Sequence, residues 1–160
     1  IMSHIVFYLK LEPYIHQWLT YSLGDPVVFP PGSCENAVIR RFLRKLPRNK
    51  EPDIYQSGMT AVCIPDSKAK PPKTYNYLGP HAKQAIRGII EDLFRQNLWF
   101  ELRDITLTGG INRHIIAWCE MHGIDDEYCE TVRQKFYRMR QAYNDKGIFL
   151  AEKQKKKMDR

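Results

Sequence analysis

The sequence has no apolar run near its N-terminus that is long enough for a secretory leader or a membrane span. The run IVFYL, residues 5–9, is followed at once by Lys10, whereas a membrane-spanning helix needs about 20 apolar residues. Close pairing and CxxC spacing are both missing from the four cysteines, which are Cys34, Cys63, Cys119 and Cys129. These absences favour the reducing cytoplasm, with no membrane as a partner and no disulfide framework.

The chain also lacks the common catalytic motifs. There is no GxSxG, no HExxH and no phosphate-binding GxxxxGK[ST]. Four potential metal ligands are separated by five, three and seven residues, unlike the short paired spacings of zinc sites: His114, Cys119, His122 and Cys129. The sequence therefore predicts neither an enzyme nor a metal or other cofactor.

What the chain has is an adequate core composition and clustered positive charge. Its 160 residues are 43% hydrophobic, enough for one ordinary domain or a small domain with a helical appendage. Lys and Arg outnumber Asp and Glu by 25 to 18, for a net charge of +7. This excess is moderate, but residues 40–50 alone supply six positive charges. The distribution of the charge is therefore more informative than its sum.

The most informative stretch is residues 36–46, NAVIRRFLRKL, which separates charged from apolar residues around a helical wheel. The wheel places Arg40, Arg41, Arg44 and Lys45 in one arc opposite the apolar side chains, and Arg48 and Lys50 follow Pro47. We predict an amphipathic helix whose cationic side faces outward to contact phosphate. The alternative is a solvated face that only keeps the domain soluble.

Two further segments are candidates for phosphate contacts. One is the connection PDSKAKPPK, residues 65–73, which supplies Lys68, Lys70 and Lys73. The other is the second half of the last predicted helix, which supplies Arg133, Lys135, Arg138 and Arg140. Next to the lysine-rich connection, the aromatic rings of Tyr75 and Tyr77 could stack on unpaired bases, although anchoring a loop onto a core is the interpretation we prefer.

Hydrophobic periodicity predicts an α+β protein in three regions. Residues 1–78 form a small α+β layer with about three short strands, near 4–11, 27–29 and 59–64, and a helix over 13–23. Residues 79–147 form a helical region with helices over 80–102, 111–122 and 126–143. Residues 148–160 form a basic tail.

Residues 115–134 resemble the helix-turn-helix of DNA-binding repressors and activators. Cys119 is the small residue of the first helix, Gly123 stands at the turn and Ile124 follows it, and Cys129 and Val132 are spaced to face inward on the second helix. This resemblance implies a DNA-associated regulator of the kind common in mobile elements. The start of the second helix is acidic, so we assign phosphate contacts to its basic second half.

We therefore expect a small cytoplasmic protein that binds nucleic acid, DNA rather than RNA, as a regulator or accessory factor and either alone or as a homodimer. The alternative is a non-catalytic module for protein–protein interaction or assembly. In that case the acidic turn and the basic faces would meet complementary protein surfaces.

Overall fold

The computed structural model describes residues 5–103 and 110–146. In chain order its elements are β1 (Val6–Leu9), α1 (Pro13–Leu23), α2 (Cys34–Phe42), β2 (Arg44–Lys45), β3 (Thr60–Cys63), β4 (Tyr75–Tyr77), α3 (Pro80–Leu102), α4 (Ile111–Met121) and α5 (Cys129–Asp145). A 3-10 turn, Asp126–Tyr128, precedes α5. The fold class is α+β, as predicted. The predicted basic tail, residues 148–160, lies outside the described residues.

The chain divides into two compact units, Ile1–Glu91 and Asp92–Arg160. The division falls inside α3, whereas the sequence pattern suggested a boundary just before this helix. We call the two parts the N-terminal unit and the C-terminal unit.

In the N-terminal unit, β3 lies between β1 and the segment at Val27. β1 and β3 are antiparallel, with Phe7 opposite Val62. On the other side of β3, the Val27 N–H donates to the Ala61 carbonyl over 2.8 Å, and the Val27 carbonyl accepts from the Cys63 N–H. The predicted strands near 4–11 and 59–64 are therefore confirmed, while residues 27–29 contribute one parallel bridge.

Helix α1 packs one apolar face inward and begins, as predicted, with Pro13 at its first position. Ile15 and Leu19 are almost fully buried. His16 ties the helix to β3, because its Nδ1 lies 2.6 Å from the buried hydroxyl of Thr60.

Helix α2 starts at the predicted cap, since the Ser33 hydroxyl accepts from the Asn36 N–H over 3.2 Å. It ends at Phe42, and the predicted continuation to residue 46 is wrong. Leu43 leaves helical geometry with φ −64° and ψ 136°, and Arg44 pairs in an antiparallel ribbon with Tyr77. The helical-wheel arc that grouped Arg44 with Arg40 and Arg41 is therefore not formed.

The ribbon of β2 and β4 was not predicted. Arg44 pairs with Tyr77 and Lys45 with Tyr75, with an irregularity in register between the two pairs. Only Ile39 and Leu43 of the predicted apolar side are buried, while the Phe42 side chain remains 40% exposed. A two-residue strand whose partner lies thirty residues downstream leaves no local pattern.

In the C-terminal unit, α4 and α5 meet at the corner expected from the sequence. Gly123 has φ 71°, the left-handed conformation that glycine adopts without strain. The Ile124 N–H donates to the Cys119 carbonyl over 2.9 Å and the Gly123 N–H to the Glu120 carbonyl, the paired bonds of a Schellman motif. Ile124 and Val132 are buried at the corner.

Aromatic side chains fill the core of the C-terminal unit. The rings of Phe94 and Trp118 meet edge to face with centroids 5.7 Å apart. Trp99 contacts Phe136 and stacks on Tyr143 at 4.4 Å. These contacts fix the last turns of α3 against α4 and α5.

Candidate nucleic-acid interface

The end of α2, strand β2 and the start of α3 border an open groove of about 400 Å³. Arg41, Arg44 and His81 are among the residues that line it. No acidic side chain of the described residues lines this groove. A phosphate group entering it would meet positive charge without a nearby carboxylate.

The groove exists because α2 stops where it does. Leu43, the residue after the helix, is 2% exposed and fixes the chain to the core. The chain then extends into β2, which carries Arg44 to the groove together with Arg41 from the last turn of α2. A helix continuing to residue 46 would not have formed the ribbon with β4.

Two cations of β2 lie over tyrosine rings of β4. The Arg44 guanidinium is 5.0 Å from the centre of the Tyr77 ring, and the Lys45 ammonium is 5.7 Å from that of Tyr75. Both tyrosines are half-buried. These cation–π contacts orient the charged groups without neutralising them, since a tyrosine ring carries no net charge.

The start of α3 also lines the groove. Gly79 precedes Pro80 at the first helical position, and His81 and Ala82 follow along the groove. The N–H groups in the first turn of a helix have no intrahelical acceptor, and the helix dipole makes this end electropositive. These residues were not predicted as site residues from the sequence. The Gly79-Pro80 pair predicted where the long helix begins, but it gave no indication of the groove.

Within the described residues, neither Arg41 nor Arg44 forms an ion pair. Arg48 and Lys50 are exposed in the segment after β2. Arg40 lines a different cavity, of about 270 Å³, whose wall also contains Asp66. The six cations of residues 40–50 are thus not equivalent, and Arg41 and Arg44 are the two that share the groove.

The lysines of residues 65–73 have different roles. The ammonium of Lys70 donates to the carbonyls of Arg40 and Leu43 over 2.8 and 2.9 Å and, at 3.3 Å, to that of Arg41. Lys70 therefore caps the end of α2, where helix carbonyls lack intrahelical donors. Its ammonium N–H groups are used in these bonds and are not directed at a ligand. Lys68 and Lys73 are exposed.

The predicted basic residues of α5 are largely engaged within the helix. Arg133 donates through Nε and a terminal nitrogen to both carboxylate oxygens of Glu130. These bonds from Arg133 lower the pKa of Glu130 below its ordinary value. Arg133 and Arg140 also lie on the Tyr137 ring, at 5.5 and 5.6 Å from its centre.

The two remaining predicted cations of α5 differ in exposure. Lys135 is half-buried and Arg138 is exposed. Arg138 is thus the most accessible of the four cations predicted on this helix.

The C-terminal unit also contains a polar cluster that the sequence did not predict. Glu101 accepts from the Trp118 indole N–H over 2.8 Å and from His122 at 3.2 Å. Burial on its own would raise the pKa of Glu101, but these bonds and one from Asn97 outweigh it and lower that pKa. The His122 ring also contacts the Trp118 ring, with centres 4.3 Å apart and the two planes tilted by 42°. This cluster is a structural bridge from α3 to α4.

The residues considered as metal ligands do not form a site. Among the described residues, no group of three or more His, Cys, Asp or Glu side chains is arranged to hold a metal ion. Cys119 is fully buried, and burial together with the Cys129 thiol raises its pKa, which disfavours the thiolate that metals bind. The His122 ring is already hydrogen-bonded to Glu101 and packed against Trp118.

None of the described helices has the length and apolarity needed to span a membrane. Comparison with family models, with curated proteins and with solved structures gives no match. The functional assignment therefore depends on the geometry of the groove and its arginines.

Proposed function

We propose that the protein is a cytoplasmic nucleic-acid-binding protein that contacts phosphates, of duplex DNA in the first instance, through the groove formed by α2, β2 and α3. The observation that carries the proposal is the placement of Arg41 and Arg44 together at the electropositive start of α3. Backbone N–H groups and arginine side chains are the two donor types that most often contact phosphate in nucleic-acid complexes.

Because no acidic side chain of the described residues pairs with Arg41 or Arg44, these two arginines are suited to binding phosphate. An arginine held by a carboxylate must exchange that partner for phosphate, whereas Arg41 and Arg44 would only exchange water. Their guanidinium groups can each donate two parallel hydrogen bonds to phosphate oxygens. The stacking of Arg44 on Tyr77 further limits the conformational freedom that binding would remove.

Neighbouring cations extend the surface along the chain. Lys45 follows Arg44 on β2 and is exposed, as are Arg48 and Lys50 beyond it. Contacts from such residues add affinity by releasing counterions from the nucleic acid, independently of base sequence. We assign the protein a binding role, as a regulator or accessory factor, and no catalytic one.

The test is fluorescence anisotropy with labelled random duplex DNA, single-stranded DNA and RNA at several salt concentrations. We expect micromolar binding to duplex DNA at low salt and a steep loss of affinity as salt rises. Arg41→Ala/Arg44→Ala should weaken binding by about tenfold or more.

Lys68→Ala/Lys73→Ala is the matched control, because it removes two exposed cations from the same unit outside the groove. It should weaken binding by no more than about threefold. Absence of binding to all three nucleic acids at low salt would contradict the proposal, as would equal losses in the two double variants. A preference for RNA or single strands would replace duplex DNA as the ligand.

A further inference from the structure

A second surface, in the C-terminal unit, is not used by the groove. Helix α4 buries Ile111, Ile115, Trp118 and Cys119 on one side. Its opposite side is exposed and carries Arg113, Ile116, Ala117, Glu120 and Met121. Two of these are large apolar side chains, with Ile116 51% and Met121 58% exposed. Two large apolar side chains and two opposite charges are thus presented to solvent on this side of α4.

The two charges on this face are placed unfavourably for an isolated helix. Arg113 is the third residue of α4, near the electropositive N-terminus, and Glu120 is the tenth of eleven, near the electronegative C-terminus. The helix dipole favours the reverse arrangement. Nothing inside α4 therefore explains why these charges occupy these ends.

Local pairing does not explain them either. The residues three and four positions from Arg113 are glycine, isoleucine or alanine, and those from Glu120 are also uncharged. Neither charge forms an ion pair with a described residue.

An antiparallel copy of the same helix would place an opposite charge next to each of these two side chains. A twofold axis between Ile116 and Ala117 would place Arg113 of each copy opposite Glu120 of the other, since the two positions are equidistant from the axis. Each charge would then lie at the favourable end of the partner helix, a cation at its C-terminus and an anion at its N-terminus. Ile116 would pack against Ala117 of the second copy, whose small side chain permits close approach.

We propose that α4 is a self-association surface that pairs antiparallel with α4 of a second copy of this chain. The face, from Arg113 to Met121, spans about 12 Å of one helix, so it buries much less than the roughly 800 Å² that each partner buries in a standard interface. The dimer is therefore weak and in rapid exchange. This inference is independent of the proposed nucleic-acid groove, which lies in the other unit.

The test is sedimentation equilibrium of the whole chain without nucleic acid, from about 10 μM to about 1 mM. The wild-type protein should self-associate across this range. Arg113→Glu and Glu120→Arg should each weaken association by about tenfold or more, because each places like charges opposite one another at both ends of the interface.

The most discriminating experiment is sedimentation equilibrium of a mixture of the two single variants. Arg113→Glu carries two acids on the face and Glu120→Arg carries two bases, so a mixed pair is complementary at both ends. The mixture should form a heterodimer at concentrations where each variant alone is monomeric. The double variant Arg113→Glu/Glu120→Arg should again associate with itself, because the pairing is restored with the signs exchanged.

Misfolding cannot imitate this pattern. Each single substitution places a charge in agreement with the dipole of its own helix, so the thermal midpoint of the monomer should stay the same or rise. Arg138→Glu on the exposed side of α5 is the charge control and should leave association unchanged. A wild-type chain that is monomeric at the highest concentration, or a mixture of single variants that does not associate, would overturn the proposal.

Discussion

The arginines of the groove and Arg133 of α5 are held in opposite ways. In the N-terminal unit, Arg44 lies on a tyrosine ring and Arg41 lines an open groove, and neither is paired with a described carboxylate. In the C-terminal unit, Arg133 is held by both oxygens of Glu130. Arg41 and Arg44 are thus available to a ligand, whereas Arg133 is held by a carboxylate of its own helix.

The difference shows that a count of basic residues does not define an anion-binding surface. The charge on an arginine survives contact with an aromatic ring but is largely compensated by contact with a carboxylate. For this reason the two basic clusters, which look alike in the sequence, should differ in their response to nucleic acid.

Charge reversal should give the largest contrast between the units. Arg41→Glu/Arg44→Glu replaces the positive groove with two acids and should weaken binding to duplex DNA by about 100-fold at low salt, because it removes two contacts and adds repulsion. Arg133→Glu/Arg138→Glu makes the same change in net charge on α5 and should weaken binding by no more than about fivefold. Fluorescence anisotropy measures both.

Equal losses of affinity in the two charge-reversal variants would contradict this difference between the groove and α5. In that case net charge alone would govern binding, and the groove would have no special role. Circular dichroism of both variants ensures that a loss of binding does not arise from unfolding.

Removing the lysine that supports the groove should have the next largest effect, this time on stability. Lys70→Met keeps the length of the side chain but leaves three carbonyls at the end of α2 without their donor. We expect a loss of about 1–2 kcal/mol in the free energy of unfolding, measured by urea titration. Lys68→Met, an exposed neighbour in the same connection, should change it by less than about 0.5 kcal/mol. Equal effects would mean that Lys70 does not cap the helix.

The polar cluster of the C-terminal unit should show its contribution through pH. The pKa of Glu101 is lowered in the folded protein. Its contribution to stability is therefore present above its unfolded pKa and is lost as the pH falls through its folded pKa. Glu101→Gln should cost about 1 kcal/mol at neutral pH, as measured by chemical unfolding.

This cost should shrink towards zero as the pH is lowered below the ordinary carboxyl range, because the wild-type carboxylate is then protonated as well. A cost that stays constant from neutral to acidic pH would show that the charge of Glu101 makes no contribution. Trp118 fluorescence reports on the same transition, since its indole N–H donates to this carboxylate.

Releasing Arg133 from its carboxylate should have a small effect on binding. Glu130→Gln removes the carboxylate charge that holds Arg133 and should raise affinity for duplex DNA by about twofold. Glu127→Gln removes an exposed acid nearby and provides the control for net charge. An equal gain in both variants would mean that the pairing of Arg133 does not restrain it from binding.

The sequence predicted the elements whose pattern is local. The long helix α3 matches its expected bounds, the Ser33 cap lies where it was expected, and β1 and β3 fall inside predicted strands. The corner at Gly123 was also predicted, because a glycine between two apolar-periodic segments is a local signal.

The elements that were missed depend on distant partners. Strand β2 requires Tyr75 and Tyr77, and the end of α2 is capped by Lys70. The groove likewise requires the start of α3, so no window around Arg41 could have revealed it. Arg41 and Arg44 were predicted as site residues for a helical face that does not exist, and the structure places them together through a helix end and a strand.

The phosphate contacts assigned to the groove are tested most directly by measuring how affinity for duplex DNA depends on salt. The quantity to compare is the slope of the logarithm of the binding constant against the logarithm of salt concentration. Each phosphate contact contributes about 0.9 to this slope on duplex DNA. We predict that Arg41→Gln/Arg44→Gln reduces its magnitude by about 1.8 and Arg133→Gln/Arg138→Gln by less than about 1. An unchanged slope in the first variant, or a larger reduction in the second, would contradict the assignment of phosphate contacts to the groove.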